Sequence, residues 1–377
     1  MTTRGTASVA FTDLLLQAMD MEASDVILKP GMAPIARVHG ELRPIPWTER
    51  EYFQGNEIED AIRALLNLGD SEGLLGQRHP MENEREIRWK EQKSLDFSFY
   101  LRKAGRFRVH VYMDRGRWCA VIRTIPSEIR PLGELGLPEQ LLDLVQKPRG
   151  LFLVTGPTGS GKSTTLNTLV DFLNERFAKH IVTIEDPIEF HHVDKRSVIS
   201  QREVGGDTIS FKQALKDALR ENPDVILVGE MRDLETIAAA LTAAETGHLV
   251  MGTLHTKGAP DTISRILDAF PPEQQAQVAV QLASNLVGVV SQQLVPRADK
   301  PGRIAAYELL INNPAVANNI RERKGANEMR SNLSTAREVF VQMDASLANL
   351  VKRGIISLAA AEARAYEPKE IHRLVNL

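Results

Sequence analysis

The run LFLVT-GPTGSGKST-TLNTLVDFLNERF, Leu151 to Phe177, decides how the larger part of this chain folds. Four apolar residues and a threonine lead into a glycine-rich turn. After it, Leu166, Leu169, Val170 and Leu173 fall at i, i+3, i+4 and i+7, so the order is buried strand, tight loop, and a helix with one core-facing stripe. Gly156, Gly161, Lys162 and Ser163 satisfy the pattern G-x-x-x-x-G-K-[ST] of a nucleotide-binding P-loop. Glycines let successive backbone N–H groups turn toward one anion, the helix start adds partial positive charge, and the lysine reaches the terminal phosphates. The spacing therefore predicts a phosphate cradle built from Gly156, Pro157, Thr158, Gly159, Ser160, Gly161, Lys162, Ser163 and Thr164, with Ser163 as a ligand of Mg²⁺.

Outward from this loop, apolar strands alternate with helical stretches from Gly150 on, the pattern of a parallel sheet built from βαβ units. HIVTIED, DVILVGE and HLVMGTLH are the later strands, and each ends in polar residues, where ligands of such sheets gather. The first delivers Glu185 and Asp186, with Glu189 in the following turn; the second delivers Glu230, an acid suited to Mg²⁺ or its water shell. Phosphoryl transfer to water needs a carboxylate that orients the nucleophile as well as cations that neutralise phosphate charge. His248 and His255 bracket the third strand. Seven residues apart on a period of two, they point to opposite faces, which argues against a shared metal site. Beyond about residue 297 the chain reads as helical and surface-like.

The first 125 residues read as a small mixed domain. Phe11, Leu14, Leu15, Ala18 and Met19 have helical spacing; DVILKP, PIARVHGELRPI, LDFSFYL and RFRVHVYM alternate like half-buried strands. Residues 56 to 92 look helical, and the charged run Glu82 to Lys93 reads as a solvated face. Arg106, Arg108, Arg115, Arg117 and Arg123 lie on or between the last strands, and a basic strand pair in an acidic chain suggests an anion to bind. Residues 126 to 149, with four prolines and two glycines around a short helical patch, form the interdomain linker. EREYFQG, Glu49 to Gly55, fits the recognition pattern of a potyviral protease.

At 377 residues and 43% hydrophobic, the chain is long enough for two cores. Its net charge of −3 and pI near 6.3 give no global basic footprint, so direct nucleic-acid binding is not expected. The single cysteine, Cys119, excludes an internal disulfide framework and suits a reducing compartment. No stretch approaches the roughly 18 consecutive apolar residues of a membrane span, and acidic residues interrupt the start of the chain, so a cytoplasmic protein is expected.

With GPTGSGKST, TIEDPIEF from Thr183, SQREVGGDT from Ser200, ALRENPDVILVGEMRDLET from Ala218 and AAETGHLVMGTLHT from Ala243, the chain resembles the type IV pilus retraction ATPases, the PilT/PilU family of secretion-type ATPases. The resemblance spans nearly the whole chain. It implies an N-terminal PAS-like α+β domain (1–125) followed by a RecA-like P-loop ATPase domain (150–377) with a mostly parallel sheet. It also implies ATP and Mg²⁺ as cofactors, a homohexameric ring with sites at subunit interfaces, and an inner membrane pilus platform protein as partner. TIEDPIEF then corresponds to the family's Asp box, LVGEMRD to its Walker B element and GHLVMGTLH to its His box. By position Glu189 activates water and Glu230 stands near Mg²⁺, roles that can be exchanged; Arg108 and Arg123 approach the phosphates, and His248 and His255 are the box histidines. The family's motif AIRNLIRE appears here as AVANNIRE, with Ala317 in place of arginine and Asn319 in place of leucine. Three functions stay open: a pilus retraction motor, an accessory ring subunit working with a paralogous retraction ATPase, and a motor for protein or DNA export.

Overall fold

The computed structural model describes residues 4–38, 41–46, 57–67, 89, 91–101, 105–125, 129–336 and 338–376. The protease-like EREYFQG run and Glu82–Arg88 of the charged run lie outside them. Contacts divide the chain into one unit of residues 1–128 with Pro187–His191, and a second of Ile129–Asp186 with His192–Leu377.

In the first unit, helix α1 (Arg4–Asp20) precedes β1 (Ala23–Leu28), β2 (Ile35–Val38), β3 (Glu41–Pro44), α2 (Glu57–Asn67), β4 (Ser94–Leu101), β5 (Gly105–Asp114) and β6 (Arg117–Ile125). The six strands form an antiparallel sheet in the order β3-β2-β1-β6-β5-β4. Arg115 and Gly116, both at positive φ, make the two-residue turn that joins β5 to β6. Alternation gives the sheet two unlike faces. Val26, Leu28, Phe97, Phe107, Val109, Val111 and Ile122 form a core with Phe11, Leu14, Leu15 and Ala18 of α1 and Ile58 and Ile62 of α2. Met19, expected on that stripe, is 38% exposed. The other face carries Asp25, Arg37, Asp96, Arg108, His110 and Arg123, with Arg108 and Arg123 directly opposite each other across β5 and β6. Cys119 is fully buried.

The second unit begins inside the stretch read as a linker. Its helices α3 (Leu132–Leu135) and α4 (Gln140–Val145) bury Leu132, Leu141, Leu144 and Val145 in the same cluster as Leu166, Leu169, Val170 and Leu173. Apolar residues between the prolines, rather than the prolines, decide the fate of this segment. There follow β7 (Gly150–Thr155), α5 (Lys162–Arg176), β8 (His180–Glu185), β9 (Val198–Glu203), α6 (Phe211–Ala218), β10 (Val225–Val228), α7 (Leu234–Glu245), β11 (Leu249–Leu254), α8 (Ala259–Asp268), α9 (Pro272–Asn285) and β12 (Leu286–Pro296). The chain closes with β13 (Arg303–Ile311), α10 (Pro314–Arg321), α11 (Ala326–Leu333), β14 (Phe340–Val341), α12 (Met343–Lys352), α13 (Leu358–Glu362) and α14 (Pro368–Asn376).

Its eight strands run in the order β14-β13-β12-β7-β11-β10-β8-β9. The six from β12 to β9 are parallel, whereas β13 and β14 pair antiparallel. Strands buried on both faces send alternate residues to opposite layers. Phe152, Val154, Val225, Leu227, Leu249 and Met251 pack with α5; Leu151, Leu153, Ile226, Val228 and Val250 join the cluster that includes residues of α7, α8 and α9. The region from residue 297 is therefore not purely helical: β13 and β14 extend the sheet, and Ile304, Ala305, Ala306, Leu309 and Leu310 are buried. Among the described residues no helix is long and apolar enough to cross a membrane.

Candidate active site

Strand β7 ends at Thr155 and the chain turns through Gly156, Gly159 and Gly161, all at positive φ, into α5. Gly156 is there because nothing larger fits: a Cβ would stand 2.3 Å from the Gln292 carbonyl of β12. The same glutamine, 1% exposed, clamps the loop with its side chain. Its Nε2 donates to Ser160 O (2.7 Å) and its Oε1 accepts from Thr165 Oγ1 (2.9 Å). Ser160 is 2% exposed, and its Oγ has no hydrogen-bond partner. An orphaned hydroxyl inside a glycine cradle fits an anion such as a phosphate. Lys162 Nζ donates to Gly156 O (3.0 Å) and Pro157 O (3.2 Å), which holds the ammonium over the loop. Ser163 and Thr164 occupy the first turn of α5, where Asn167 Nδ2 donates to Ser163 O (2.8 Å). The next strands supply the carboxylates. Gly229 N donates to Ile184 O (2.8 Å) and Thr253 Oγ1 to Gly229 O (2.5 Å), and these bonds fix the turn that presents Glu230. Glu230 Oε1 accepts from Arg232 Nε (2.5 Å) and lies 3.0 Å from His255 Nε2. Burial would raise this carboxyl, but the hydrogen bond and charge of Arg232, then His255 and Lys162, hold it below its ordinary value. Glu230 is thus ionised at neutral pH, and its field and that of the P-loop lysine meet.

Glu185 is buried at the end of β8, with Oε1 accepting from Thr183 Oγ1 (2.7 Å) and Gln201 Nε2 (3.3 Å). Glu189 is half-buried within Pro187–His191, the segment that clusters with the first unit. His255 stands at the site, at the exit of β11. His248 does not: it precedes β11, beside Gly150, and its Nδ1 lies 3.0 Å from Ala243 O. Because β7 and β11 are parallel and in register, the length of a six-residue strand, about 20 Å, separates it from the P-loop of its own subunit. The two histidines flank the strand rather than standing on its two faces. Arg123 Nε donates to Asp25 Oδ1 (2.9 Å), and Arg108 approaches Asp96 at 3.9 Å.

Two residues were not anticipated. Gln292 lies in the apolar run LVGVVSQQLVP, where a polar pair on a buried strand was the available signal. His192, 5% exposed, has Nε2 at 2.7 Å from Asn167 Oδ1, which ties the chain after β8 to the P-loop helix; nothing in its sequence neighbourhood marks that role.

The type II/IV secretion system protein family matches residues 95–363, from β4 through α13. The chain belongs to this family. Similar relatives span it almost end to end. The twitching motility protein of Neisseria gonorrhoeae is 46% identical over 333 residues, covering 88% of this chain and 84% of that protein. The type IV pilus retraction ATPase PilT of Pseudomonas aeruginosa is 44% identical over 360 residues, 95% and 98% of the two chains. A crystal structure of the pilus retraction motor PilT with bound ADP superposes with a TM-score of 0.83 at 42% identity, covering 96% of this chain and 98% of that one. In the AVANNIRE stretch, Ala317 and Asn319 both have defined packing or hydrogen bonds. Ala317 is 6% exposed in the core beside Val316 and Ile320, and Asn319 Oδ1 accepts from Asn332 Nδ2 (2.8 Å), linking α10 to α11.

Proposed function

We propose that this chain is a homohexameric motor ATPase that powers type IV pilus retraction. The observation that carries the reading is the meeting of Lys162 and an ionised Glu230 at a cradle with an orphaned Ser160 hydroxyl. It is joined to 44% identity over 98% of a retraction ATPase. Loop N–H groups and Lys162 would hold the β- and γ-phosphates of ATP, with Ser163 and Glu230 holding Mg²⁺ or its waters. The metal supplies charge neutralisation on the transferring phosphoryl group. Glu189 would orient the attacking water, with the exchanged assignment to Glu230 as the alternative, and buried Glu185 adds negative charge beside them. His255 sets the orientation of Glu230. Arg108 and Arg123 would reach the phosphates held by a neighbouring subunit, since a trans arginine can raise phosphoryl-transfer rates by about 10³ to 10⁵. Related ATPases of this family form hexameric rings. The ring would work at the cytoplasmic face of the inner membrane, held there by the pilus platform protein, and domain closure around nucleotide would move that partner.

Replacing Lys162 by alanine on the chromosome tests the reading. The expected outcome is a surplus of surface pili, lost twitching, and purified protein without ATPase activity. Bare cells would overturn retraction in favour of assembly. Ala317 and Asn319, where the family has arginine and leucine, favour a second reading: an accessory ring subunit that needs a paralogous retraction ATPase. Full retraction with this chain as the sole such ATPase would eliminate it.

A further inference from the structure

Behind the site, in the same unit, lies a partly buried charged cluster to which the roles assigned above give no part. Glu308 of β13 is fully buried; its Oε1 accepts from Ala259 N (2.7 Å) and lies 3.6 Å from Arg330 Nη2 of α11. Arg330 also binds the Asp261 carboxylate of α8, and its guanidinium lies 4.9 Å over the ring of Tyr366. Tyr366, between α13 and α14, is fixed by its backbone: its N–H and that of Glu367 donate to the two Asp344 oxygens (2.8 and 3.0 Å). The Tyr366 hydroxyl then donates to Lys257 O (2.8 Å), which Ser291 Oγ of β12 also reaches (3.0 Å). Thr256 Oγ1 meets Thr262 Oγ1 at 2.6 Å. Between them Gly258 leaves no room for a side chain, because a Cβ would stand 2.3 Å from Arg330 Nη2 and 2.6 Å from the Tyr366 hydroxyl.

The gripped segment, Thr256–Gly258, immediately follows His255, whose imidazole stands 3.0 Å from Glu230. A bulky network of ion pairs and hydrogen bonds at the back of a loop fixes what its front presents, and a misplacement of about 1 Å at a reacting centre can cost around a hundredfold in rate. We propose that Tyr366 is a positioning residue: braced by Arg330 and Glu308, it sets the Thr256–Gly258 loop and thereby the approach of His255 to Glu230, so that the C-terminal helices govern the rate of hydrolysis without touching nucleotide. The inference rests on the ATPase reading above.

The test is Tyr366→Phe in the full-length protein, which removes the hydroxyl and keeps the ring beneath Arg330. With Mg²⁺ and ATP, kcat falls about tenfold while KM changes less than about twofold, the signature of lost transition-state positioning. In nucleotide-free protein, hydrogen exchange of the amides between Thr253 and Ala259 quickens, while peptides from the P-loop and from β8 exchange as in the parent. Unchanged kcat together with unchanged exchange in that segment overturns the inference. So does faster exchange spread over the whole second unit, which would mark general loosening. Failure of the ATPase reading is separate: there the parent protein itself shows no hydrolysis that Lys162→Ala abolishes.

Discussion

Glu230, in the turn after β10, and Glu308, on β13, are carboxylates carried by one sheet, and their surroundings drive their affinities for the proton apart. Glu230 is held ionised despite burial, because Arg232, His255 and Lys162 all face it. Glu308 has no exposed surface, and burial pushes its carboxyl up to about 7, against the opposing pull of Arg330 and the amides of Ala259 and Met343 and with the help of Asp261. The unfolded chain releases that proton near its ordinary value of 4.5. The stability due to this group is therefore complete below about pH 4.5 and lost as pH rises through about 7. Glu308→Gln, which keeps the side-chain volume and an acceptor for Ala259 N, removes the titration. Between pH 5 and pH 8 its unfolding free energy should rise relative to the parent by up to about 3 kcal/mol, read from denaturant midpoints at each pH. Of these roles the sequence shows little. Glu230 announces itself by ending an apolar strand, whereas Glu308 sits in RIAAYELLI, where a helix-prone composition conceals a buried charge.

At the scale of elements, the P-loop and its helix are the most legible part of the chain. Leu166, Leu169, Val170 and Leu173 all reach the core that their spacing predicts, and burying each contributes about 1.5–3 kcal/mol. The strands after it are less legible. Ala, Glu and Leu favour helix locally, so β13 is a strand because β12 offers it nine residues of antiparallel pairing, a tertiary choice that local propensity does not contain. LVGVVSQQLVP hides β12 because Ser291 and Gln292 break its apolar run, yet both are buried and bonded, the first to Lys257 O and the second to the P-loop. Gln292→Ala tests that clamp. It strands the Thr165 hydroxyl and the Ser160 carbonyl, each worth on the order of 1–3 kcal/mol when left unpaired and buried. A lower melting temperature and weaker binding of a fluorescent ATP analogue are expected; parent-like nucleotide affinity would mean that the loop holds its shape alone.

For the whole molecule, the change in pattern near Gly150 suggests a boundary there, whereas the second compact unit begins at Ile129, because a stretch punctuated by prolines can still bury leucines such as Leu132, Leu137, Leu141 and Leu144. The polar face of the first unit's sheet, with Arg108 opposite Arg123, belongs to this scale too, since its proposed use lies on another subunit. Lys162→Ala protein and Arg108→Ala/Arg123→Ala protein should each lose ATPase activity. Mixed in equal amounts and allowed to exchange subunits, they should recover about a quarter of it, because random mixing joins an intact loop to an intact arginine pair at that share of interfaces in a closed ring. A mixture as inactive as its parts would mean that the arginines serve their own subunit or none.

The sheet order also sets a timetable. Strand β7, wholly apolar until Thr155, pairs with β11 and β12, both of which follow it in the chain. While the chain is being made, Gly150–Thr155 leaves the ribosome and waits for Leu249 and then Leu286 to follow. At about 5–20 residues per second that interval is on the order of ten seconds. Until Leu249 follows, the strand that will carry the P-loop has bare edges on both sides, and its β12 edge stays bare until Leu286 follows, so every round of synthesis exposes an unpartnered apolar ribbon.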